Sequence, residues 1–362
     1  MVKRGTLRGA LYFHVAEYRA MKIDALVFKL HKALRKALEA DKHYLLAVSG
    51  GSDSMALLSA CMALQNEGYG TYSVCHVEHG LRGEEAIADA DFVASFCKER
   101  CIPCFVEHVD VLAQVAEQGL SVEEAARNLR HGVLQSVALR EECDTVVFAH
   151  NSDDQVETVL MNILRGTGLK GLGGIRGCSH AGLHPLLGFS HAQLAEYCRV
   201  QGIAYRHDSS NDDLVYTRNR IRHELVPYLE QNFNSNLCSS LTTMAMLMQE
   251  ENDALDAIAW QAFAEAAAVD TGAETDGCCV RIYGKKLKKY PAAVAKRVIR
   301  KAYAALSRAT LSYERTQAVY DLYVRNAGGK TVQLPNGFIV SCAKGVLIFQ
   351  RLRVAGRKDF SE

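Results

Sequence analysis

Between residues 44 and 150, short apolar runs alternate with amphipathic helical patterns, and nothing else in the chain narrows the fold as sharply. "YLLAVS" (44–49) precedes a helical pattern from Asp53, and "YSVCHVEH" (72–79) precedes "EEAIADADFVASFCKERC". "CFVEHVDV" (104–111) precedes "SVEEAARNLRHGVLQSVALREE", and "DTVVFAH" (144–150) closes the series. Strands this uniformly apolar are buried on both faces. The pattern therefore predicts an α/β fold, a parallel sheet with helices on both faces. The helix after the third strand opens on Ser121-x-x-Glu124, a capping box.

In such a sheet ligands collect at the carboxyl ends of the strands. Three polar clusters fall there: "SGGSDS" after the first strand, "HVEHGLRG" at the second and "AHNSDDQVET" at the fourth. Clusters at the same end of three strands predict one site. In the first, Gly50 and Gly51 let successive backbone N–H groups point into one concavity, and the helix that follows adds partial positive charge. Ser49, Ser52 and Ser54 supply hydroxyl donors, while Asp53 beside an anion calls for a bridging Mg²⁺. No lysine follows the glycines, so this is not the familiar phosphate loop. On "SGG" alone, a plain strand–turn–helix remains an equal reading.

Beyond residue 190 the strand pattern fades into helical segments, and a boundary is expected near residue 235. Net charge is only +1, but its distribution is uneven. Asn236–Gly277 holds eight acidic residues and no Lys or Arg; Cys279–Arg308 holds ten Lys/Arg and no acid. The basic block suits a phosphate-contacting face or, equally, a solvated helix paired with its acidic neighbour. No apolar run reaches the roughly 18 residues of a membrane span. The first twenty residues make a poor signal peptide, and twelve cysteines in such a chain point to reduced thiols in a cytoplasm.

"SGGSDS" after an apolar strand resembles the PP-loop of enzymes that cleave ATP between its α and β phosphates. Over a longer span the chain resembles the tRNA(Ile)-lysidine synthetases. Five blocks in order carry that resemblance: "AVSGGSDSMALL", "HVEHGLRGEEAIADADFV", "EEAARNLRHGVL", "AHNSDDQVETVLMNILRGTGLKGLGGI" and "DSSNDDLVYTRNRIRHELVPYLE". The resemblance covers about Met21 to Leu229, and more faintly continues to Phe349. Two positions depart from the family pattern: Glu78 stands for a shorter acid, and Asn151 for a second histidine.

The resemblance implies ATP as co-substrate with Mg²⁺, and two further substrates: free L-lysine and the wobble cytidine of tRNA(Ile) with a CAU anticodon. ATP adenylates the cytosine 2-carbonyl oxygen, and the lysine ε-amine then displaces AMP, which splits one hard substitution into two easier steps. Ser49, Gly50, Gly51, Ser52, Asp53 and Ser54 would hold the nucleotide, and Asp53 and Asp154 the Mg²⁺. Asp53, Asp154, Glu157 and Arg130 form the expected catalytic set. Asp154 and Glu157, spaced i and i+3, share one helix face and can meet one amine, either serving as general base. Arg130 would pair with the substrate carboxylate. Ordinary surface charges are the plainer reading of the same acids.

His76 and His79 flank Glu78 without a strong zinc spacing, which favours nucleotide contacts or structural hydrogen bonds. Arg165 and the cluster Arg218, Arg220 and Arg222 suit RNA or substrate contacts, or a bridge between domains. The expected organisation is an N-terminal extension (1–20), a PP-loop catalytic domain (21–235) and a mostly helical, tRNA-contacting domain (236–362) ending in a short hairpin. Cys97, Cys101 and Cys104 spell C-x3-C-x2-C, but across a helix end, Pro103 and a strand start, which reads as packing. A related PP-loop enzyme delivering sulfur to a cytidine or uridine is the alternative. A tRNA-binding scaffold without catalysis is a third reading.

Overall fold

The structure, a computed structural model, describes residues 24–81, 83–207, 213–270, 279–325 and 328–351. The expected extension (1–20), the "DSSND" stretch (208–212) and the loop at 271–278 lie outside the described residues. The chain folds as two compact units, Met1–Met248 and Gln249–Glu362.

The first unit opens with a helix over residues 24–37 (α1), then β1 (His43–Ala47), α2 (Ser52–Asn66), β2 (Thr71–Glu78), α3 (Glu84–Glu99) and β3 (Cys104–His108). It continues through α4 (Val111–Gln118), α5 (Val122–Arg140), β4 (Thr145–Phe148), α6 (Ser152–Leu164) and α7 (Leu169–Leu172). Two-residue strands β5 (Cys178–Ser179) and β6 (Gly182–Leu183) precede α8 (His191–Gln201). Next, α9 (Thr217–Arg220) runs through a wide π turn, Ile221–Leu225, into α10 (Val226–Asn232), and α11 (Leu237–Ala266) follows.

The sheet order is β3-β2-β1-β4-β6-β5, parallel except between β5 and β6. The expected parallel sheet is present, with β1 at its centre: Leu46 lies opposite both Val74 and Val147. Strands β5 and β6 are too short to leave a period in the sequence. Helices cover both faces. On one, α2 packs against α8 and is apolar all round, burying Met55, Leu57, Leu58, Cys61 and Leu64 completely. Leu30 and Leu34 of α1, and Leu38 just beyond it, join that core at helical spacing. Burying a side chain of this size stabilises by roughly 1.5–3 kcal/mol. On the other face Leu134, Val137 and Ala138 of α5 pack on Leu45, Cys75, Val146 and Phe148.

The second unit contains β7 (Ala267–Asp270), β8 (Cys279–Tyr283), α12 (Gly284–Leu287), α13 (Ala292–Ser307), α14 (Tyr313–Val324), β9 (Thr331–Leu334), β10 (Phe338–Ala343) and β11 (Val346–Arg351). The expected hairpin is β10–β11, turning at Lys344 and Gly345, both at positive φ (51° and 77°). It lies within a five-stranded antiparallel sheet of order β7-β8-β11-β10-β9, larger than the sequence suggests. Ala267–Asp270 reads "AAVD", a continuation of an alanine-rich helix, yet pairing with β8 overrides that propensity.

The boundary expected near residue 235 marks the start of α11, and the division into units falls within that helix. Its early residues Cys238 and Leu241 pack with Val156, Leu160 and Ile221, whereas Ala259, Ala262 and Ala266 belong to the second core. The acidic and basic blocks of the sequence meet in the second unit. Arg297 donates to Asn252 (3.0 Å) and Asp256 (2.7 Å), Lys289 pairs with Glu265 (3.0 Å) and Arg281 with Asp270 (3.0 Å). Lys285, Lys286 and Lys288 stay exposed.

Candidate active site

Three helix N-termini converge beyond the carboxyl ends of β1 and β4. The first belongs to α2. Val48 is held by β2, its N–H donating to Cys75 O (3.0 Å) and its carbonyl lying 2.9 Å from His76 Nδ1. The chain then turns at Gly50, whose φ of 93° suits glycine and disfavours any L side chain. Ser54, one turn into α2, pins the loop: its Oγ accepts from the N–H groups of Ser49 and Gly50, both at 3.2 Å, and donates to Gly51 O at 3.0 Å. Ser52 and Ser54 are buried. No side chain caps α2, so its first backbone N–H groups are left for an anion, whereas Ser121, Asn151 and Ser190 cap α5, α6 and α8.

The second N-terminus is that of α6. Asn151 Oδ1 accepts from the N–H groups of Asp153 (2.8 Å) and Asp154 (3.0 Å), and Asp154 Oδ2 accepts in return from the Asn151 N–H (3.0 Å). This capping box leaves the Asn151 amide free to donate to Asp53 Oδ2 at 2.9 Å. The departure from histidine at this position is thus accounted for: asparagine caps and bridges at once. The third N-terminus is that of α8, where the His191 N–H donates to Asp153 Oδ2 (3.0 Å) and its Nδ1 lies 3.0 Å from Asp53 Oδ1. The Asp53 hydrogen bond holds the His191 imidazolium above its ordinary pKa, against the opposing effect of burial.

Asp154 and Glu157 do share one face of α6, and Arg218 and Arg222 meet them there. Arg218 Nε donates to Glu157 Oε2 (2.5 Å) and its Nη2 to Asp154 Oδ1 (2.7 Å). Arg222 Nε takes the other Glu157 oxygen (2.5 Å) and reaches Asp154 Oδ1 at 3.4 Å. The Glu157 side chain is only 2% exposed. Burial alone would raise the Asp154 carboxyl, but Arg218, the Asn151 N–H and Arg222 outweigh it and hold it below the ordinary range. Asp154, expected beside Mg²⁺, instead faces two guanidinium groups. The Asp53 side chain, 26% exposed against 15% for Asp154, is the more open of the two.

Arg130, half-buried on α5, brings a third guanidinium toward Asp154, and its buried Nε has no hydrogen-bond partner among the described residues. Burial, then Arg218 and Arg127, lower its pKa. Next to it stand His131, Phe148, His150 and His184, with ring centroids 4.9–5.6 Å apart. Burial pushes His150 down to about 3 and His184 to about 4, so both rings are neutral.

Glu78 serves the sheet rim. Its oxygens accept from the Gly80 N–H (2.6 Å) and lie 3.1 Å from His108 Nδ1, and although burial opposes ionisation these bonds hold its carboxyl low. Arg220 pairs with Glu224 along its own helix at 3.7 Å, and Arg165 is exposed after α6. Cys97 is buried in α3, Cys101 is exposed, and Cys104 opens β3. Among the described residues no group of three or more His, Cys, Asp or Glu is placed to hold a metal ion.

His191 and Arg206 escaped the sequence reading. The Arg206 N–H donates to Gly50 O at 2.9 Å and its guanidinium pairs with Asp89. For His191 a signal existed: Ser190-x-x-Gln193 is a capping box that places it at the head of α8.

Residues 21–229 match the PP-loop domain family. The chain is 32% identical over 300 residues to the tRNA(Ile)-lysidine synthase of Caldanaerobacter subterraneus subsp. tengcongensis, covering 82% of this chain and 63% of that protein. It is 33% identical over 320 residues to that of Symbiobacterium thermophilum (87% and 66%), and 37% over 219 residues to that of Geobacillus kaustophilus (59% and 47%). The chain thus spans about half to two thirds of these relatives' length. Among solved structures, the U34-tRNA thiolase NcsA from Methanococcus maripaludis, with its [4Fe-4S] cluster, is similar at a TM-score of 0.53 and 18% identity. That likeness covers 62% of this chain and 80% of that one, and speaks for the fold. With an uncapped glycine loop after the central strand, and a family match over most of the first unit, the chain belongs to the PP-loop domain family.

Proposed function

We propose that this chain is a tRNA(Ile)-lysidine synthetase: it uses ATP to join free lysine to carbon 2 of the wobble cytidine of a CAU-anticodon tRNA(Ile). The observation that carries the reading is the meeting of a phosphate-type loop with a cluster of two carboxylates and three guanidinium groups, Asp154, Glu157, Arg130, Arg218 and Arg222. A zwitterionic amino acid with a second amine needs both signs of charge.

In the first step the cytidine 2-oxygen attacks the α-phosphate and pyrophosphate leaves. The backbone N–H groups of Gly51 and the first turn of α2 stabilise the phosphate charge, while Ser54, which takes the Gly50 N–H, holds the loop's geometry. The donor set suits a Mg²⁺ on the phosphate side, where Asp53 would hold it and the ion would neutralise developing charge. In the second step the lysine carboxylate pairs with Arg130, and its ε-ammonium shares Asp154 and Glu157 with Arg218 and Arg222. The ammonium has no lone pair, so it first passes one proton to Asp154 or Glu157 and attacks carbon 2 as the neutral amine. Once bonded to carbon, its remaining N–H becomes far more acidic than a free ammonium. A carboxylate held ionised by two arginines then suffices to take the proton. AMP leaves with the former 2-oxygen of the base.

The test is incorporation of labelled lysine into an unmodified CAU-anticodon tRNA(Ile) transcript with ATP and Mg²⁺, beside Asp53→Ala. Label entering only with ATP, and only with the unsubstituted chain, supports the reading. Pyrophosphate release that depends on tRNA but leaves no label would move it toward a sulfur-delivering relative.

A further inference from the structure

We infer that Arg206 is a positioning residue for nucleotide binding, clamping the Gly50–Gly51 peptide in the orientation that receives phosphate. The inference rests on the ATP reading above and adds a residue that lies outside all five motif blocks.

The geometry begins at Gly50. A glycine at φ 93° has no side chain to brake rotation of the peptide that follows it. In a trans peptide the carbonyl and the next N–H point to opposite sides. The Gly50 carbonyl accepts from the Arg206 N–H at 2.9 Å, so the Gly51 N–H is aimed the other way. The Gly51 N–H makes a long hydrogen bond to Ser49 Oγ at 3.5 Å, which engages it only weakly. Were the peptide to flip, a carbonyl oxygen would face the phosphate in place of a donor, exchanging attraction for repulsion.

Arg206 holds this position because its own side chain is tied down. Its guanidinium pairs with Asp89 of α3, whose side chain is 6% exposed while that of Arg206 is 41% exposed. Asp89 sits under the loop as well: its backbone oxygen is 4.0 Å from where a Cβ on Gly50 would lie. The clamp thus joins three pieces, namely the loop, α3 and the segment after α8. Its backbone donor sets the peptide, and its ion pair keeps the donor in place.

The experiment measures equilibrium binding of Mg²⁺ with α,β-methylene ATP, which cannot be cleaved between those phosphates, to the full chain. Arg206→Ala removes the anchor, Arg206→Met keeps the aliphatic stem without the charge, and Arg206→Lys restores a cation. The expected result is a Kd raised about tenfold in the first two and within about threefold in the lysine variant. In turnover, KM for ATP rises while KM for lysine stays put. Alanine and methionine variants that bind like the unsubstituted chain overturn the inference, and so does an equal loss for ATP and lysine, which marks general unfolding. Failure of the unsubstituted chain to bind overturns the ATP reading and the inference together.

Discussion

The side-chain amide of Asn151 donates to Asp53 Oδ2 at 2.9 Å while its carbonyl caps α6, so one residue fixes the heads of two helices. Asn151→Ala removes both functions. It should cost about 1 kcal/mol for the cap alone, read as a lower urea midpoint at unchanged m. Asn151→Asp keeps the cap but sets a second carboxylate against Asp53, so ATP-dependent lysine incorporation should fall about tenfold or more at pH 8. An aspartate variant with full activity would detach this contact from function.

Glu157 is buried between Arg218 and Arg222, and removing one partner of such a network costs roughly 3–5 kcal/mol because the other charges stay buried. Glu157→Gln should therefore lower the melting temperature and raise KM for lysine, with KM for ATP nearly unchanged. A rise confined to ATP would assign this acid to the wrong substrate.

His184 predicts a pH dependence. Burial pushes its pKa down to about 4, while the unfolded chain titrates near the ordinary value of about 6.5. Between those values the unfolded state binds more protons, so stability is complete above pH 6.5 and declines as pH falls toward 4. The loss approaches about 3 kcal/mol for 2.5 units at a single site. Urea unfolding at pH 7 and pH 5 should show this decline, and His184→Gln should flatten it. Equal slopes in both proteins would place the effect elsewhere.

Four of the ten basic residues of the block are spent on acidic partners, and of the other six Lys285, Lys286 and Lys288 lie exposed together on and just beyond α12. If this face meets RNA, reversing the three to Glu should weaken tRNA binding at low salt. The slope of log K against log salt should flatten by about 2–3. Affinity and slope both unchanged would leave a solvated face.

The sheet and the glycine loop could be read from residue order because both are local: strand, turn and helix follow one another within 25 residues of Tyr44. Asp154 and Glu157 were legible for the same reason, as neighbours on one helix turn. Their partners were not. Arg218 lies 61 residues from Glu157, and its spacing from Arg222 says only that they share a face. Arg206 was invisible for a different reason. Its decisive contact is a backbone N–H, which every residue but proline possesses. Strands β5 and β6 left no trace because two residues cannot establish a period.

The π turn at Ile221–Leu225 gives this arrangement an unusual sensitivity to length. Such a turn is a helix carrying one extra residue, and a residue lost between Arg218 and Arg222 would swing the second guanidinium by about 100° around the axis. Glu157 would keep one arginine and lose the other. Substitutions along the outer surface of this segment can therefore drift, whereas insertions and deletions cannot. Over evolutionary time its residue count should be held more strictly than its composition.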